Sequence, residues 1–442
     1  MVINMKDNMK LAEEIFLAGI EAVHPSKLVW KYIKPAEGGV LVNDFFHRVN
    51  GKIYVAGAGK ASGAMAEAVE EILGDSISEG YVIVKYGCSR PLKRITVSEA
   101  GHPLPDHNGF AATKKILEIA RKAREEDLFL FLLSGGGSSL LADYPEGSSE
   151  DEMIRMNDLL VKCGASISEI NTVRRHLSRI KGGQLARLVY PATLVSLIIS
   201  DVPGDYPAVI ASGPAYPDDS TFADAMKVVE KYRLAERMPE NLLLHLRNGV
   251  DGNIPENPGT DDPCFLKTFN TIIGNNRMAL EAASARAMEK GFDCIIDDAQ
   301  LCLDAGEAAE YIIKKALTAR DSMMLRKPLC ILLGGETTLE VKGKGTGGRN
   351  QHLALLCAKL LRRHAGITVL CSGTDGTDGP THAAGAVVDN NTWTDAVMNR
   401  IDPEYYLRNF DSYNFFREAG GHVITGPTYT NVMDLVVILI SE

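Results

Sequence analysis

Residues 127–139 read DLFLFLLSGGGSS, an apolar run without alternation that breaks into three consecutive glycines flanked by serines. A run of this kind reads as a strand covered on both faces, which is the habit of parallel sheets. The loop at its end has no Cβ atoms at three positions, so backbone amides there can approach an anion closely. Working outward, the same grammar recurs in KIYVAGAGK (52–60), YVIVKYG (81–87) and TLVSLIISDVPGD (193–205): a short apolar run, a glycine-rich or turn-forming segment, then a helical pattern. Between these runs, residues 108–127 and 170–189 carry apolar residues at helical spacing. The pattern predicts an α/β fold, an open, Rossmann-like doubly wound parallel sheet over residues 1–250.

The passage NGVDGNIPENPGTDDP (248–263) lacks hydrophobic periodicity, and four of its last nine residues are glycine or proline, so the domain boundary is read there. Beyond it come TFNTIIGNN, helices from Arg277 to Lys290 and from Ala305 to Thr318, and the strands in FDCIIDD, PLCILLGGETT, GITVLCSGTDGTDG and MDLVVILI. These predict a second, smaller α/β domain over 264–442. Its terminal VVILI either closes that domain or returns to the first sheet.

With 442 residues the chain exceeds what one hydrophobic core accommodates, and 45% hydrophobic with 24% charged residues is an ordinary globular balance. The net charge of −10 argues against sequence-independent nucleic-acid binding, and aromatics do not interleave with basic residues as a base-stacking surface requires. Any anionic substrate must therefore be held by locally concentrated positive charge. The eight cysteines form no C-x-x-C pair, and several lie inside apolar runs, which favours reduced thiols and a cytoplasmic setting over disulfides or structural zinc. Neither a leader-like N-terminus nor a membrane-length apolar stretch is read.

Three glycine loops carry the candidate chemistry. In GAGKASG (57–63), Ser62 stands where a dinucleotide fingerprint needs glycine, the next strand ends without a ribose-binding carboxylate, and Tyr54 stands where a P-loop needs its first glycine. What remains is Lys60, with Gly59, at a strand tip where doubly wound sheets bind ligands; a solvated first-turn lysine is the plainer alternative. In the second loop, Ser134, Gly135, Gly136, Gly137 and Ser138 form an amide nest suited to phosphate or carboxylate, or else a tight strand-to-helix turn. Leu140 rules out a nucleophile elbow there. The third group comprises GGETT (334–338), KGKGTGGRNQ (342–351) and SGTDGTDG (372–379). Arg349 can hold a carboxylate or phosphate bidentately. Asp375 and Asp378, like Asp201 past an earlier strand end, are hard oxygen ligands suited to magnesium carrying phosphates, or members of Asp-Gly turns. Arg174, Arg175, Arg179 and Lys181 form a basic cluster read as one helix and its glycine cap, and His102 in GHPLPD is either a base or a buried hydrogen-bonding residue.

Taken together, GAGKASG, GHPLPD, LLSGGGSSLL, EINTVRRHLSRIKGGQLA, SDVPGDYPAVIASGP, GGETT with GGRNQHLAL, and SGTDGTDGPTHAAGA, in order from about residue 51 to 389, resemble the glycerate 2-kinase family. The resemblance implies a Rossmann-like N-terminal kinase domain, a smaller MOFRL-type C-terminal domain and a site in the cleft between them. It implies ATP-dependent phosphorylation of the 2-hydroxyl of D-glycerate using Mg2+, with Lys60 and Arg349 as the catalytic residues. Gly59, Ser134, Gly135, Gly136, Gly137, Ser138 and Lys181 are then expected to bind substrate or nucleotide phosphates, and Asp201, Asp375 and Asp378 to serve as magnesium ligands or as the base. The expected partners are small molecules, D-glycerate and ATP, with no nucleic acid or membrane, in a monomer or homodimer. Two alternatives stay open: a hydroxypyruvate reductase using NAD(P)H, which the broken dinucleotide fingerprint disfavours, and a non-catalytic sensor of sugar acids or phosphates.

Overall fold

The computed structural model describes residues 5–441, and the chain divides into two compact units, residues 25–273 and residues 1–24 together with 274–442. The first unit is built on a six-stranded sheet of β1 (Ile53–Ala58), β2 (Ile77–Lys85), β3 (Ile95–Ala100), β4 (Leu128–Leu133), β5 (Thr193–Ile199) and β6 (Thr268–Gly274). Its spatial order is β3-β2-β1-β4-β5-β6, the order of a doubly wound sheet. β1 pairs parallel with both β2 and β4, in register from Ile53 opposite Leu128 to Ala58 opposite Leu133. Every residue of β1 and β4 is buried, which is why LFLFLL shows no alternation. Chain direction across the sheet reverses between β1 and β4, so the crevice past their carboxyl ends is the switch point where ligands bind in such sheets.

Helix His107–Ala120 packs on this sheet, while Glu150–Lys162, Ile167–His176 and Phe222–Lys231 share a separate apolar cluster, all with well-formed starts. Asp106 caps His107–Ala120, and the pairs Ser149/Glu152, Ser166/Glu169 and Thr221/Asp224 close capping boxes on three further helices. The apolar pattern of 170–189 is not one helix: it splits into Ile167–His176 and Gln184–Val189, because Gly182 and Gly183 both take positive φ. Arg174 and Arg175 lie on the first of these, while Arg179 and Lys181 lie in the turn after it. A three-stranded antiparallel sheet, Ile33–Ala36, Gly39–Val42 and Phe45–Arg48, precedes β1 and was not read from the sequence.

The second unit holds a mixed sheet of β7 (Asp293–Ile296), β8 (Leu329–Gly335), β9 (Ile367–Gly373), β10 (Gly385–Asp389), β11 (His422–Val423) and β12 (Asp434–Ile440), in the order β7-β8-β12-β9-β10-β11. The terminal strand β12 is central here, antiparallel to both neighbours and wholly buried. Helix Met5–Ala22 joins this unit against helix Asn276–Glu289, where Gly19 permits the approach: a Cβ there would lie 2.9 Å from the Ala279 carbonyl oxygen. The sequence places a boundary within 248–263; the chain divides at 273/274, since the residues TFNTIIG pair as β6 in the first sheet. No helix among the described residues is long and apolar enough to cross a membrane.

Candidate active site

In the first unit, the carboxyl ends of β1 and β4 are stitched together by their own loops. Gly59 has φ +143°, and a Cβ on it would sit 2.1 Å from the Ser134 hydroxyl, so only glycine fits. The Lys60 amide donates to the Gly135 carbonyl (2.9 Å) and the Ala61 amide to Ser134 Oγ (3.0 Å). Ser62 Oγ donates to the Leu132 carbonyl at 3.1 Å and lies 3.2 Å from Ser134 Oγ. Ser134 is expected from sequence to offer its hydroxyl to an anion. Instead it is 1% exposed and its hydroxyl is the strut that fixes the Lys60 loop.

Gly136 takes φ +84° at the start of the short helix Gly137–Leu140. The place its Cβ would occupy is 2.9 Å from the His102 ring and 3.5 Å from Lys60 Cγ, so His102 and Lys60 flank the glycine loop. A cavity of about 370 Å³ opens beside it, lined among others by His102, Gly136, Ser138, Asp143, Arg174 and Lys181. Lys181 is 5% exposed; its ammonium donates to the Leu141 carbonyl and lies 3.8 Å from Asp143. Burial pushes the Lys181 pKa down, and the Asp143 carboxylate opposes that push. Arg174 Nε donates to Asn157 Oδ1 at 2.8 Å, and burial lowers its pKa as well. Arg175 is outside this cavity, paired at 2.8 Å with the buried Asp218.

The opposite wall of the loop cluster carries a feature the sequence did not signal. Ala211, Ser212 and Gly213 run consecutively at φ 49°, 61° and 65°. Left-handed backbone at a non-glycine residue costs roughly 1–2 kcal/mol, so the surroundings must hold it there. They do: the Gly182 and Gly183 amides donate to the Ser212 and Gly213 carbonyls, and Ser212 Oγ donates to Asn171 at 3.1 Å and lies 3.3 Å from Ser138 Oγ. The tetrapeptide ASGP was the available signal, since proline after glycine marks a turn but not its hand. Asp201 follows β5 at the same carboxyl edge, half-buried.

In the second unit, Arg349 opens the helix Arg349–Leu361. Its Nε and Nη2 donate to the two carboxylate oxygens of Asp434 at 2.7 and 2.9 Å, and Nη1 lies 2.8 Å from Glu336 Oε1. Burial disfavours the guanidinium charge, but Asp434 and Glu336 more than offset it and hold the pKa above its usual value. Asp434 begins β12, opposite Gly335 of β8 and Gly373 of β9, so two glycine strand ends frame the pair. The backbone around it is held by Asn276, whose Nδ2 donates to the Val432 and Asp434 carbonyls at 2.7 and 3.0 Å. Neither Asp434 nor Asn276 was singled out by sequence. An aspartate opening an otherwise unbroken apolar strand was the signal.

The three expected metal carboxylates behave differently. Asp378 is 3% exposed, and its oxygens accept from the Asn350 and Gln351 amides at 3.1 and 2.8 Å and from both side-chain amides. It is the cap of the Arg349 helix, and burial pushes its pKa up to about 6. Asp375 is half-buried in its glycine loop, with Oδ1 accepting from Thr377. Among the described residues no three His, Cys, Asp or Glu side chains come together as a metal cage.

The fold and these loops define a two-unit α/β protein with a lysine and a glycine loop at a sheet's switch point in one unit and a clamped arginine at strand ends in the other. Comparison with known proteins narrows this. Residues 11–247 match a domain of unknown function, DUF4147, and residues 329–434 match the MOFRL family. The D-glycerate 2-kinase of Thermotoga maritima is 42% identical, over 98% of both chains. The crystal structure of a glycerate kinase from the same organism superimposes with a TM-score of 0.87 at 41% identity, covering 98% of this chain and 100% of that one. A protein of Agrobacterium vitis, 40% identical over 90% of both chains, bears a provisional hydroxypyruvate reductase name. The chain belongs to the glycerate 2-kinase family.

Proposed function

We propose that the protein transfers the γ-phosphoryl group of ATP to the 2-hydroxyl of D-glycerate, giving 2-phosphoglycerate and ADP. The observation that carries the reading is Lys60 at the carboxyl end of β1, locked to the amide nest of β4, in a chain 42% identical end to end to a D-glycerate 2-kinase.

In this transfer the 2-hydroxyl oxygen bonds to the γ-phosphorus, the bond to the β–γ bridging oxygen breaks, and the hydroxyl proton leaves to a base. The protein's part is positioning and neutralisation of charge, and no protein nucleophile is required. We assign Lys60 to the transferring phosphoryl group, and the amides of Gly135 and Gly136 with the Ser138 hydroxyl to anionic oxygens; the Gly137 amide, expected from sequence to join them, instead donates to the Ser134 carbonyl at 3.2 Å and closes the turn. Arg349, whose Nη1 faces Glu336 rather than the buried Asp434, is the second cationic centre. His102, beside Gly136 and Lys60, is the nearest imidazole to the nest and a candidate base.

Magnesium fits this residue set as an ion carried by the triphosphate rather than as a resident metal, because Asp378 is spent on capping and only Asp375 and Asp201 keep partly exposed carboxylates. Bound there, it would neutralise phosphate charge.

Lys60→Ala and Arg349→Ala test the assignment. Each is expected to lower kcat by about 10³-fold with folding retained, the scale on which single charge-stabilising groups act. Near-normal turnover in both would refute it. Incubation with NADH and hydroxypyruvate is expected to leave nucleotide absorbance unchanged.

A further inference from the structure

Two cysteines of the second unit stand side by side on neighbouring strands. Cys294 on β7 pairs in register with Cys330 on β8, and the strands run parallel, so both side chains leave the sheet on the same face. Adjacent strands lie about 4.7–4.9 Å apart, inside the span of about 4.4–6.8 Å between Cα atoms that a disulfide bridges. Both thiols are free. β7 is the edge of its sheet, with β8 on one side, so Cys294 is half-buried, whereas Cys330, one strand further in, is wholly buried. One sulfur of the pair is thus open to a small solute, and the other waits behind it.

The surroundings of Cys294 add a second observation. The Cys330 thiol, the hydroxyl of Ser284 on helix Asn276–Glu289 and the Ile295 amide all converge on its sulfur. Hydrogen bonding from Cys330 favours the Cys294 thiolate more than burial disfavours it, Ser284 and Ile295 add to the effect, and the pKa falls to about 7. Cys330, whose proton is turned toward Cys294, has its pKa pushed up. The two thiols are therefore unlike: one is a nucleophile near neutral pH, the other a protonated neighbour.

A contrast lies in the same unit. Cys357 of helix Arg349–Leu361 and Cys371 of β9 also meet, but both are 0% exposed within the apolar core, and burial pushes the Cys371 pKa up. That pair offers an oxidant neither an exposed sulfur nor a thiolate.

We propose that Cys294 and Cys330 form a peroxide-oxidisable dithiol, in which Cys294 meets the oxidant and Cys330 closes a disulfide that halts oxidation at a reversible stage. The Cys294 thiolate attacks one oxygen of hydrogen peroxide: the S–O bond forms, the O–O bond breaks, and the departing hydroxide leaves as water with the proton the thiol gave up. The Cys330 sulfur then attacks the sulfenic sulfur; the S–S bond forms, the S–O bond breaks, and the second hydroxide leaves as water with the Cys330 proton. Each sulfur loses one electron and the peroxide gains two.

The test treats the full reduced chain with hydrogen peroxide near neutral pH, alkylates the remaining thiols after unfolding, and assigns each cysteine by peptide fragmentation in a mass spectrometer. The peptides holding Cys294 and Cys330 should be joined and two hydrogens lighter than the separate thiols, dithiothreitol should part them, and Cys357 and Cys371 should stay reduced. Cys294→Ser should leave Cys330 as a free thiol. In Cys330→Ala, with folding checked by circular dichroism, Cys294 should instead be trapped by dimedone and pass on to the sulfinic acid. The natural chain decides the matter even where a variant fails to fold. Cys294 found as a sulfinic acid beside an unmodified Cys330, Cys294 bridged to any other cysteine, or Cys294 left reduced while exposed Cys302 is oxidised would each overturn the proposal.

Discussion

Asp434→Asn isolates the role of the Arg349 clamp. Asp434 is 5% exposed and receives two hydrogen bonds from one guanidinium, 2.7 and 2.9 Å long. Removing one partner of a buried ion pair costs about 3–5 kcal/mol. Arg349 is 35% exposed and keeps Glu336, and asparagine keeps one acceptor, so a cost below that range, about 2–3 kcal/mol, is expected. The second consequence is kinetic. A guanidinium released from its fork moves by an ångström or more, and displacement on that scale costs about 10²-fold in rate. The assay is ADP release for kcat and KM, alongside urea unfolding. Asp434→Asn should lower kcat about 10²-fold, Glu336→Gln by less than 10-fold, and Asp434→Asn in an Arg349→Ala background should cost little more than Arg349→Ala alone. Equal losses in both backgrounds would show that Asp434 does not act through Arg349, and unchanged kcat in the single variant would refute the positioning argument.

Three further outcomes follow from the geometry. Gly136→Ala forces a side chain into left-handed backbone 2.9 Å from His102, and should cost about 1–2 kcal/mol of stability and lower kcat/KM; thermal unfolding with steady-state kinetics checks both. Asp378→Ala strips the cap from the Arg349 helix and should destabilise by about 2 kcal/mol, and excess magnesium should not restore activity, as it would for a weakened metal ligand. His352, stacked on Phe410 at 4.9 Å, has its pKa pushed down to about 4 by burial. As pH falls the unfolded chain takes up this proton first, from about 6.5, so the contribution is intact above that pH and is lost progressively down to about 4, roughly 3 kcal/mol in all. Urea unfolding at pH 7 and pH 4.5 should show a smaller acid loss in His352→Asn than in the natural chain.

The doubly wound sheet was legible because its central strands are buried on both faces, so LFLFLL and IYVAGA announce themselves without alternation. β3 (ITVSEA), a half-exposed edge strand short of apolar residues, was not, and β6 was picked out as TFNTIIGNN but assigned to the second domain, since an edge strand's sequence does not say which sheet it joins. Lys60 and the 134–139 nest could be read from glycine at strand tips. The role of Ser134 could not, because a serine that struts a neighbouring loop and one that meets a ligand are identical in sequence. Asp378 shows the same limit: an Asp-Gly loop looks like a metal site until its oxygens are found capping a helix from 28 residues away. The clamp on Arg349 spans 85 positions, a separation no local pattern encodes.

The central claim is tested most directly by incubating the purified protein with D-glycerate and MgATP, following ADP release and assigning the product by phosphorus NMR. ADP formed in step with 2-phosphoglycerate is the predicted result. Folded protein that releases no ADP, or that yields 3-phosphoglycerate, would contradict it.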